Sequence, residues 1–383
     1  MATEMNLEGR IDIRLSCQAA APVSVSIQSS RPQLAQKLLA GRTPEEAANL
    51  TGLIFSLCGK AQRIAAEAAC EVACEVAQGV WSRADKSDQP LAGDRETAVL
   101  LELAQEHAWR LLLNWPEQAG VQLGIVPDMA SLLLLRQAAV DPSRFADTLD
   151  ALLQTTLLGE PAADWLARDL AGFDAWRRAG KTPVARLFAE LGEGADVGIS
   201  QAALLPPLWR LEDDVARDLA QRALDVPAFC AQPLWCGAPA ETGAVARLSE
   251  QPLLAAWIAQ RGRGAGARLL ARLLELAALP TRLSACLPDT GAALVRAWSL
   301  GDNIGLAGVE TSRGLLLHVV RLRQGKVAEY RIVAPTEWNF HPDGPLAQAL
   351  SGLAPGDALA ARAGLVAQSL DPCVAFGIEV CDA

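Results

Sequence analysis

The stretch ETSRGLLLHVVRLRQGKVAEYRIVAPTEWN, residues 310–339, says most about the architecture of this chain. Together with the preceding GLAGV it contains two apolar, β-branched runs, 305–322 and 327–335, separated by Arg323-Gln324-Gly325-Lys326. Two such runs joined by a short turn with glycine are typical of a β-hairpin, because glycine readily adopts positive φ angles. We therefore predict a hairpin, with Gly325 supplying the unusual backbone angles.

A second strand signal lies at the N-terminus, where apolar residues alternate with polar ones from Ile11 to Leu15 and from Val23 to Ile27. This period of two predicts a pair of half-buried strands. The middle of the chain is helical, beginning at Thr43, which precedes Pro-Glu-Glu as a helix N-cap. Residues 50–81 are Ala-rich and predict an interior helix, and further helices are predicted at 97–114, 142–158, 162–178, 208–225 and 252–279.

The expected fold class is therefore α+β and predominantly helical. We expect one domain over 1–383, with a helical middle at 43–280 and small sheets from the ends, 7–30 and 305–338. Residues 227–250 are rich in turn formers and predict a surface loop. A loop at 338–345, one amphipathic helix and the terminal SLDPC stretch should follow. The sequence shows no internal repeat.

Composition excludes several classes of protein. Half of the 383 residues are apolar and a fifth are charged, with a net charge of -10. No cluster of Lys and Arg interleaved with aromatic residues is present, so nucleic acid is not an expected partner. No run of about 20 uncharged apolar residues predicts a membrane helix, and Glu4 and Glu8 do not suit a signal peptide. We expect a cytoplasmic protein that does not bind membranes.

The nine cysteines are scattered singly, which favours free thiols over a disulfide framework. Cys58 precedes a glycine, and Lys60 and Arg63 nearby would favour its thiolate by lowering its pKa. Cys373 follows Asp371-Pro372, and neither cysteine belongs to the close pair typical of structural zinc. Cys70 and Cys74 would share one face of a buried helix, where packing is the favoured interpretation.

Conventional catalytic motifs are absent from the sequence. It has no nucleophile elbow, phosphate loop or dinucleotide-binding fingerprint. The three histidines, His107, His318 and His341, are far apart and lack the spacing of a zinc or triad site. His107, beside Glu102 and Glu106, could act as a base, but a structural histidine is the favoured interpretation.

Four segments resemble the large subunit of nickel-iron hydrogenases, and within that superfamily the HupK/HoxV type of hydrogenase maturation protein. LEGRIDIRL at 7–15 is similar to the family's R-I-E-G-H-L-R-I, and SLCGKAQ at 56–62 to R-x-C-G-x-C. Residues 310–339 resemble E-A-P-R-G, a hairpin and V-P-[ST]-T-W-N, and SLDPCVAF at 369–376 resembles S-x-D-P-C-x-x-C. The resemblance implies a hydrogenase-large-subunit-like helical core.

The departures from that family bear on function. In the enzymes, four thiolates hold nickel and an iron that carries carbon monoxide and two cyanides. The two bridging cysteines correspond here to Ala61 and Phe376, and two family histidines to Ala65 and Glu379. The resemblance therefore implies no hydrogen turnover, no enzyme activity and no bound nickel. The enzymes lose a C-terminal extension, whereas this chain ends at Ala383, so we expect a tail like a finished C-terminus.

The retained positions imply an iron site. Cys58 and Cys373 match the terminal nickel-ligand positions and would be the metal ligands. Arg313 and Thr336 correspond to residues that donate hydrogen bonds to the cyanides, and Asp371 and Glu8 to carboxylates that orient Arg313 and manage protons. The alternatives are structural: Arg313 satisfying carbonyls, Thr336 capping a turn, Glu8 on the surface. A replacement ligand from Cys381 or from a partner's thiol also remains open.

By resemblance, the chain would be a maturation scaffold that transiently carries an Fe(CN)2(CO) unit. It would receive this unit from a complex of the HypC/HypD type and pass it to the apo hydrogenase large subunit. The main alternative is a metal-free chaperone that binds the same proteins with its cysteines incidental. A third is a divergent enzyme that uses His107 or Cys58. The scaffold requires that Cys58 and Cys373 converge in a buried pocket under Arg313.

Overall fold

The computed structural model describes residues 9–17, 22–31, 33–55, 58–78, 92–118, 129–138, 141–192, 196–284 and 292–382. The strands in these ranges are β1 (Ile11–Cys17), β2 (Ser24–Ser29), β3 (Ala203–Leu204), β4 (Ala240–Glu241), β5 (Val295–Gly301), β6 (Ile304–Thr311), β7 (Gly314–Arg323), β8 (Lys326–Val333) and β9 (Phe376–Asp382).

The α-helices are α1 (Ala35–Leu39), α2 (Pro44–Ile54), α3 (Gly59–Gln78), α4 (Ala92–Trp109), α5 (Trp115–Gln118), α6 (Met129–Ala138), α7 (Pro142–Leu152), α8 (Ala162–Leu166), α9 (Leu170–Ala179), α10 (Pro183–Glu190), α11 (Asp213–Asp225), α12 (Ala244–Arg247), α13 (Pro252–Arg261), α14 (Ala265–Ser284), α15 (Pro335–Asn339), α16 (Pro345–Ser351) and α17 (Leu359–Ser369). Five-residue π-turns at Arg110–Asn114 and Leu153–Leu157 extend α4 and α7, and Leu208–Arg210 is a 3-10 turn.

The two ends of the chain share one small sheet with the strand order β2-β1-β9. β1 pairs with β2 in the antiparallel sense, as the N-terminal alternation predicted, and with β9 in parallel, so that Ile11 lies opposite Phe376. We predicted the N-terminal strands but no strand after SLDPC. Pairing of β9 with β1 places the segment just before it, which contains Cys373, beside the start of the chain.

The second sheet has the order β5-β6-β7-β8. The hairpin of β7 and β8 is confirmed, with Gln324 and Gly325 at φ angles of 51° and 71°. The sheet starts earlier than predicted, at Val295, and residues 305–322 are not one strand. The chain reverses at Ser312-Arg313, between Thr311 and Gly314, because Gly314 adopts a φ of 128° that other residues rarely reach.

Helices fill the middle of the chain, as predicted, with α3 packed against β5, β6 and β7. Several predicted helices are broken, since 162–178 divides into α8 and α9, and 252–279 divides into α13 and α14. The prediction of a surface loop at 227–250 is wrong for the second half of that segment. Residues 240–247 are buried, because Glu241 and Arg247 form ion pairs with charged residues of the buried helix α14.

The segment after the second sheet also differs from expectation. Residues 335–339 form helix α15 where the predicted loop was to begin, and α16 and α17 replace the single amphipathic helix. A third, two-stranded sheet pairs β3 with β4. Among the described helices, none combines the length and hydropathy needed to cross a membrane.

Candidate functional site

The thiols of Cys58 and Cys373 are close neighbours, and each shifts the pKa of the other. Cys58 lies immediately before α3, and Cys373 lies between α17 and β9. Cys58 is 7% exposed and Cys373 is half-buried, and both are free thiols. The fold therefore brings together two cysteines from opposite ends of the chain.

The two thiols differ in their preference for charge. A hydrogen bond from Cys58 and, more weakly, the charge of Arg313 together lower the pKa of Cys373 to about 6, against the effect of burial. The same hydrogen bond, together with burial, raises the pKa of Cys58 well above its ordinary value. Cys373 is thus the thiolate of the pair and Cys58 the S–H donor. The expectation that Lys60 and Arg63 favour a Cys58 thiolate is wrong, because Arg313 is the cation that acts on it.

Arg313 occupies the two-residue turn between β6 and β7. Its backbone N–H donates to Thr311 Oγ1 at 3.1 Å, and Asn339 Nδ2 donates to its carbonyl oxygen at 3.4 Å. A side chain on Gly314 would lie 2.5 Å from Thr242, so the turn is fitted closely to the strand β4 region. These contacts fix the backbone from which the Arg313 side chain extends.

The Arg313 guanidinium is 3% exposed and incompletely bonded. Its Nη2 donates to Glu106 Oε2 at 2.7 Å, and its Nε lies 3.4 Å from Asp371 Oδ1. Burial alone would lower its pKa, but Asp371, Cys373 and Glu106 together raise the pKa well above the usual value. Its Nη1 atom is buried without a hydrogen-bond partner, whereas Nε faces Asp371, so this permanent cation has an Nη1–H group free to bind a ligand.

Asp371 lies at the centre of three arginines. Arg110 Nη2 lies 3.0 Å from its carboxylate, Arg313 Nε 3.4 Å and Arg272 Nη2 3.9 Å. Burial would raise the pKa of Asp371, but the three guanidiniums lower it below the ordinary value. Asp371 itself has a φ of 56°, a left-handed conformation that aspartate tolerates, just after α17. It thereby ties the Cys373 segment to both α14 and the end of α4.

Positive charge exceeds negative charge around the thiols. Arg272 is almost fully buried, and burial with the neighbouring arginines lowers its pKa to about 10. Nε atoms of Arg110 and Arg272 are buried without hydrogen-bond partners. Sequence reasoning missed both residues and Glu106. For Arg272 a signal existed, since a charged residue within the apolar run LLARLLELAAL indicates a buried ion pair.

Two cavities adjoin the site, and both are lined by Glu106 and Arg136. One of about 540 Å³ reaches Cys373 and is lined also by Trp109, Arg110 and Gln368. The other cavity, of about 600 Å³, is lined by Lys60, Arg63 and Glu102 as well as by Glu106 and Arg136. Cys373 therefore faces a space large enough for a small metal complex, whereas Cys58 lines neither cavity.

The remaining predicted residues have different outcomes. Thr336 is buried in the first turn of α15, next to Glu337, whose pKa is raised by burial and, more weakly, by Cys373. Its role as a ligand donor stays a prediction. Glu8 lies outside the described residues. Cys381 is opposite Ser16 in the sheet, about 17 Å along the strand from Phe376 at ~3.3 Å per residue, so its use as a replacement ligand is not supported.

Glu379 and the other cysteines have structural surroundings. Glu379 forms an exposed ion pair with Arg14 at 3.0 Å, where the resembled family has a histidine. Cys70 is buried in α3, and burial raises its pKa, in keeping with packing.

His107 belongs to a separate buried network. Its Nε2 lies 2.8 Å from Glu275, which Arg247 binds through two bonds of 2.6 Å, and Arg247 also binds Glu310 at 2.8 Å. Burial lowers the pKa of His107, so the ring is neutral. The network joins α4, α12, α14 and β6, which supports the structural interpretation of His107. Within the part of the chain that the structure describes, no three His, Cys, Asp or Glu side chains converge as a metal site.

Comparisons with known proteins show several proteins that this chain is similar to. Residues 289–378 match the family model described as nickel-dependent hydrogenase. The hydrogenase expression/formation protein HoxV of Cupriavidus necator is 34% identical over 377 residues, covering 92% of this chain and 92% of that protein. HupK of Rhizobium leguminosarum bv. viciae, a protein of the same description, is 30% identical over 400 residues, covering 98% and 97%.

Among solved structures, the Ni-Fe-Se hydrogenase from D. vulgaris Hildenborough in the reduced state has a TM-score of 0.61 at 13% identity. The match covers 93% of this chain and 94% of that chain. At this identity the likeness shows the fold alone. It confirms the predicted α+β, predominantly helical, hydrogenase-large-subunit-like architecture.

Proposed function

The chain belongs to the HoxV/HupK family of hydrogenase expression/formation proteins, and from this premise we propose that it is a non-catalytic scaffold in the maturation of nickel-iron hydrogenase. Its cargo is an iron unit with two cyanides and one carbon monoxide, held transiently and delivered to the apo large subunit. Nickel is not part of the cargo. The family name supports the maturation role, and the site supports the nature of the cargo.

The contact between Cys58 and Cys373 is the observation that carries the proposal. Thiolates are soft ligands and favour iron over hard cations such as magnesium. Two neighbouring sulfurs from opposite ends of the chain can serve as ligands of one metal atom. Cys373 is already the thiolate and faces a cavity, while Cys58 has to release its proton when it binds.

The charge around the thiols suits an iron unit that carries cyanides and is bound by thiolates. Three guanidiniums, Arg110, Arg272 and Arg313, face the carboxylates of Asp371 and Glu106, which leaves one positive charge to balance the Cys373 thiolate. The buried, unpaired Nη1–H group of Arg313 suits the nitrogen end of a cyanide, since hydrogen bonds from a charged donor are strong. An unpaired buried donor costs free energy, which a bound acceptor would recover.

The missing sulfurs support transfer of the cargo over permanent storage. Ala61 is fully buried at the start of α3, and Phe376 lines the cavity beside Cys373. Two protein thiolates hold a metal less firmly than four, because each coordinate bond adds to the affinity. We propose that the donor is a complex of the HypC/HypD type, that the acceptor is the apo large subunit, and that exchange takes place in the cytoplasm.

Infrared spectroscopy tests the proposal. The protein is purified without oxygen from cells that also express the hydrogenase maturation proteins, and cyanide and carbonyl stretching bands are expected. They should be lost in Cys58→Ser and Cys373→Ser. The matched control is Cys70→Ser, which removes a buried thiol of α3 that lies outside the site, and it should keep the bands.

Two results would point elsewhere. Wild-type protein without these bands would contradict the iron cargo. Hydrogenase maturation at the normal rate in the double variant Cys58→Ser with Cys373→Ser would favour the metal-free chaperone. Loss of maturation in that variant, with a normal unfolding transition, would support the scaffold.

A further inference from the structure

A buried chain of hydrogen bonds leads from Tyr330 to the thiol pair. Tyr330 Oη lies 2.8 Å from His318 Nδ1, and His318 Nε2 lies 2.9 Å from Gln62 Oε1. Gln62 Nε2 lies 3.7 Å from Cys58 Sγ, within the range of a hydrogen bond to sulfur. Gln62 is 2% exposed, and His318 and Tyr330 are fully buried. The series thus connects β8, β7 and α3 with the site, and its members lie in the resembling segments 56–62 and 310–339 without having been predicted as site residues.

Only one direction of donation fits the observed orientation of the Gln62 amide. With its oxygen toward the imidazole, Gln62 requires an N–H at His318 Nε2. His318 Nδ1 then has to accept, and Tyr330 is its donor. Burial lowers the pKa of His318 to about 3, so the ring is neutral and carries a single proton. The amide nitrogen is left to donate to the Cys58 sulfur.

We infer that Gln62, held by His318 and Tyr330, is a positioning residue that donates to the Cys58 sulfur and fixes it beside Cys373. Every donor in the series then points the same way, from Tyr330 through His318 and Gln62 to the Cys58 sulfur. Hydrogen bonds aligned in this way strengthen one another in a poorly polarisable interior. A sulfur that accepts from Gln62 is also fixed in its rotamer, so the two thiols are held ready for a common metal atom.

This inference deepens the proposed function and rests on it, since it explains how the Cys58 sulfur is held in position beside Cys373 until the cargo arrives. Its test does not involve the cargo, so the two ideas can fail separately. The chain has only three histidines, which makes nitrogen-15 labelling of histidine selective. The full-length protein without metal is the sample.

We expect the His318 ring to be neutral between about pH 5 and 8, with its proton on Nε2 and a hydrogen-bonded Nδ1. His318→Phe removes and so assigns this signal. Tyr330→Phe should shift the Nδ1 resonance of His318 alone, and Gln62→Leu should shift its Nε2 resonance. His341 is an internal control, because its Nδ1 accepts from the Asp343 backbone N–H at 3.1 Å and should not respond.

A His318 proton on Nδ1 would overturn the inference. Gln62 would then have to present its oxygen to Cys58 and accept from the thiol, which reverses every bond in the series. If Gln62→Leu does not fold, a second measurement on the wild-type protein tests the same direction of donation. In the wild type, two-bond couplings from the ring nitrogens of His318 to its carbon-bound protons distinguish a proton on Nε2 from one on Nδ1, and the Nδ1–H pattern would contradict the proposed direction.

Discussion

Arg110 Nη2 lies 3.0 Å from Asp371 Oδ1, and this contact joins the π-turn after α4 to the segment that presents Cys373. Single π-turns within helices occur often at functional sites. Here the turn begins at Arg110, which lines the cavity beside Cys373. The contact thus links the helical core to the C-terminal part of the chain at the site itself.

Replacing Asp371 by asparagine should destabilise the protein strongly. Asp371 is 1% exposed and is the carboxylate that three guanidiniums share, so its loss leaves buried positive charge uncompensated. We expect the free energy of unfolding to fall by about 3–5 kcal/mol, the usual effect of breaking a buried ion pair. Urea denaturation measures it. Glu250→Gln removes an exposed partner of Arg210 and should change nothing measurable, and an equal effect in both variants would contradict the prediction.

The loss of stability in Asp371→Asn should change with pH in a definite direction. Because the folded-state pKa of Asp371 is lowered, its contribution to stability is fully present above the unfolded-state pKa of about 3.9. It is lost as the pH falls through the folded-state value. The difference in stability between wild type and Asp371→Asn should therefore be constant from pH 5 to 7 and shrink on acidification below about pH 4. A difference that grows on acidification would be inconsistent with a depressed pKa.

Local patterns predicted the strands of β1, β2 and the β7–β8 hairpin because their signals, alternation and a glycine turn, depend on neighbouring residues. The reversal at Ser312-Arg313 escaped prediction for the opposite reason. It depends on Gly314 having no side chain where Thr242 and Gly243 approach, and those residues lie in a distant segment. A local pattern cannot report a steric limit set by residues far along the chain.

The same distinction between local patterns and contacts with distant residues applies to the candidate site. Motif resemblance indicated Cys58, Cys373, Arg313 and Asp371, and the structure brings these four together. Arg110 belongs to no motif, and its place at the site depends on how α4 packs against α14 and α5 against α17. Gln62 and His318 look like ordinary polar residues in the sequence. Their significance comes from a hydrogen bond across α3 and β7, which only the packing of the helix on the sheet creates.

Gly314→Ala should disturb the turn that carries Arg313. At a φ of 128° an alanine side chain is strained, and its Cβ would lie 2.5 Å from Thr242 and 2.8 Å from the Gly243 nitrogen. We expect a loss of at least about 3 kcal/mol in the free energy of unfolding. The matched control is Gly192→Ala, where φ is 81° but no atom lies within 4 Å, and the cost should be about 1–2 kcal/mol. Similar values for both, from thermal or urea unfolding, would contradict the steric argument.

Arg247→Met should be one of the most destabilising single changes outside the thiol site. The guanidinium neutralises both Glu275 and Glu310 in the buried network that contains His107. Its removal leaves two carboxylates without a cation, and we expect a loss of about 3–5 kcal/mol in unfolding free energy.

The origin of that loss can be checked by a second set of variants. If charge is the cause, adding Glu275→Gln and Glu310→Gln to Arg247→Met should recover part of the stability, because neutral amides carry no uncompensated charge. A triple variant less stable than Arg247→Met alone would instead point to lost packing. Arg210→Met, which removes an exposed arginine paired with Glu250, is the control and should unfold as wild type does.

The pH dependence of Cys373 alkylation should show that Cys373 is the thiol of the pair that ionises. The thiolate is the reactive form, and the S–H of Cys58 and the charge of Arg313 lower the pKa of Cys373 to about 6. In the metal-free protein its alkylation rate, followed by mass spectrometry of the Cys373 peptide, should reach half its maximum near pH 6. Cys58→Ala removes the donor and should move that midpoint to higher pH, whereas Cys70→Ala removes a buried thiol of α3 outside the site and should leave it in place. A midpoint unchanged in Cys58→Ala would mean that Arg313 alone lowers the pKa, and the hydrogen bond between the two sulfurs would have no measurable effect.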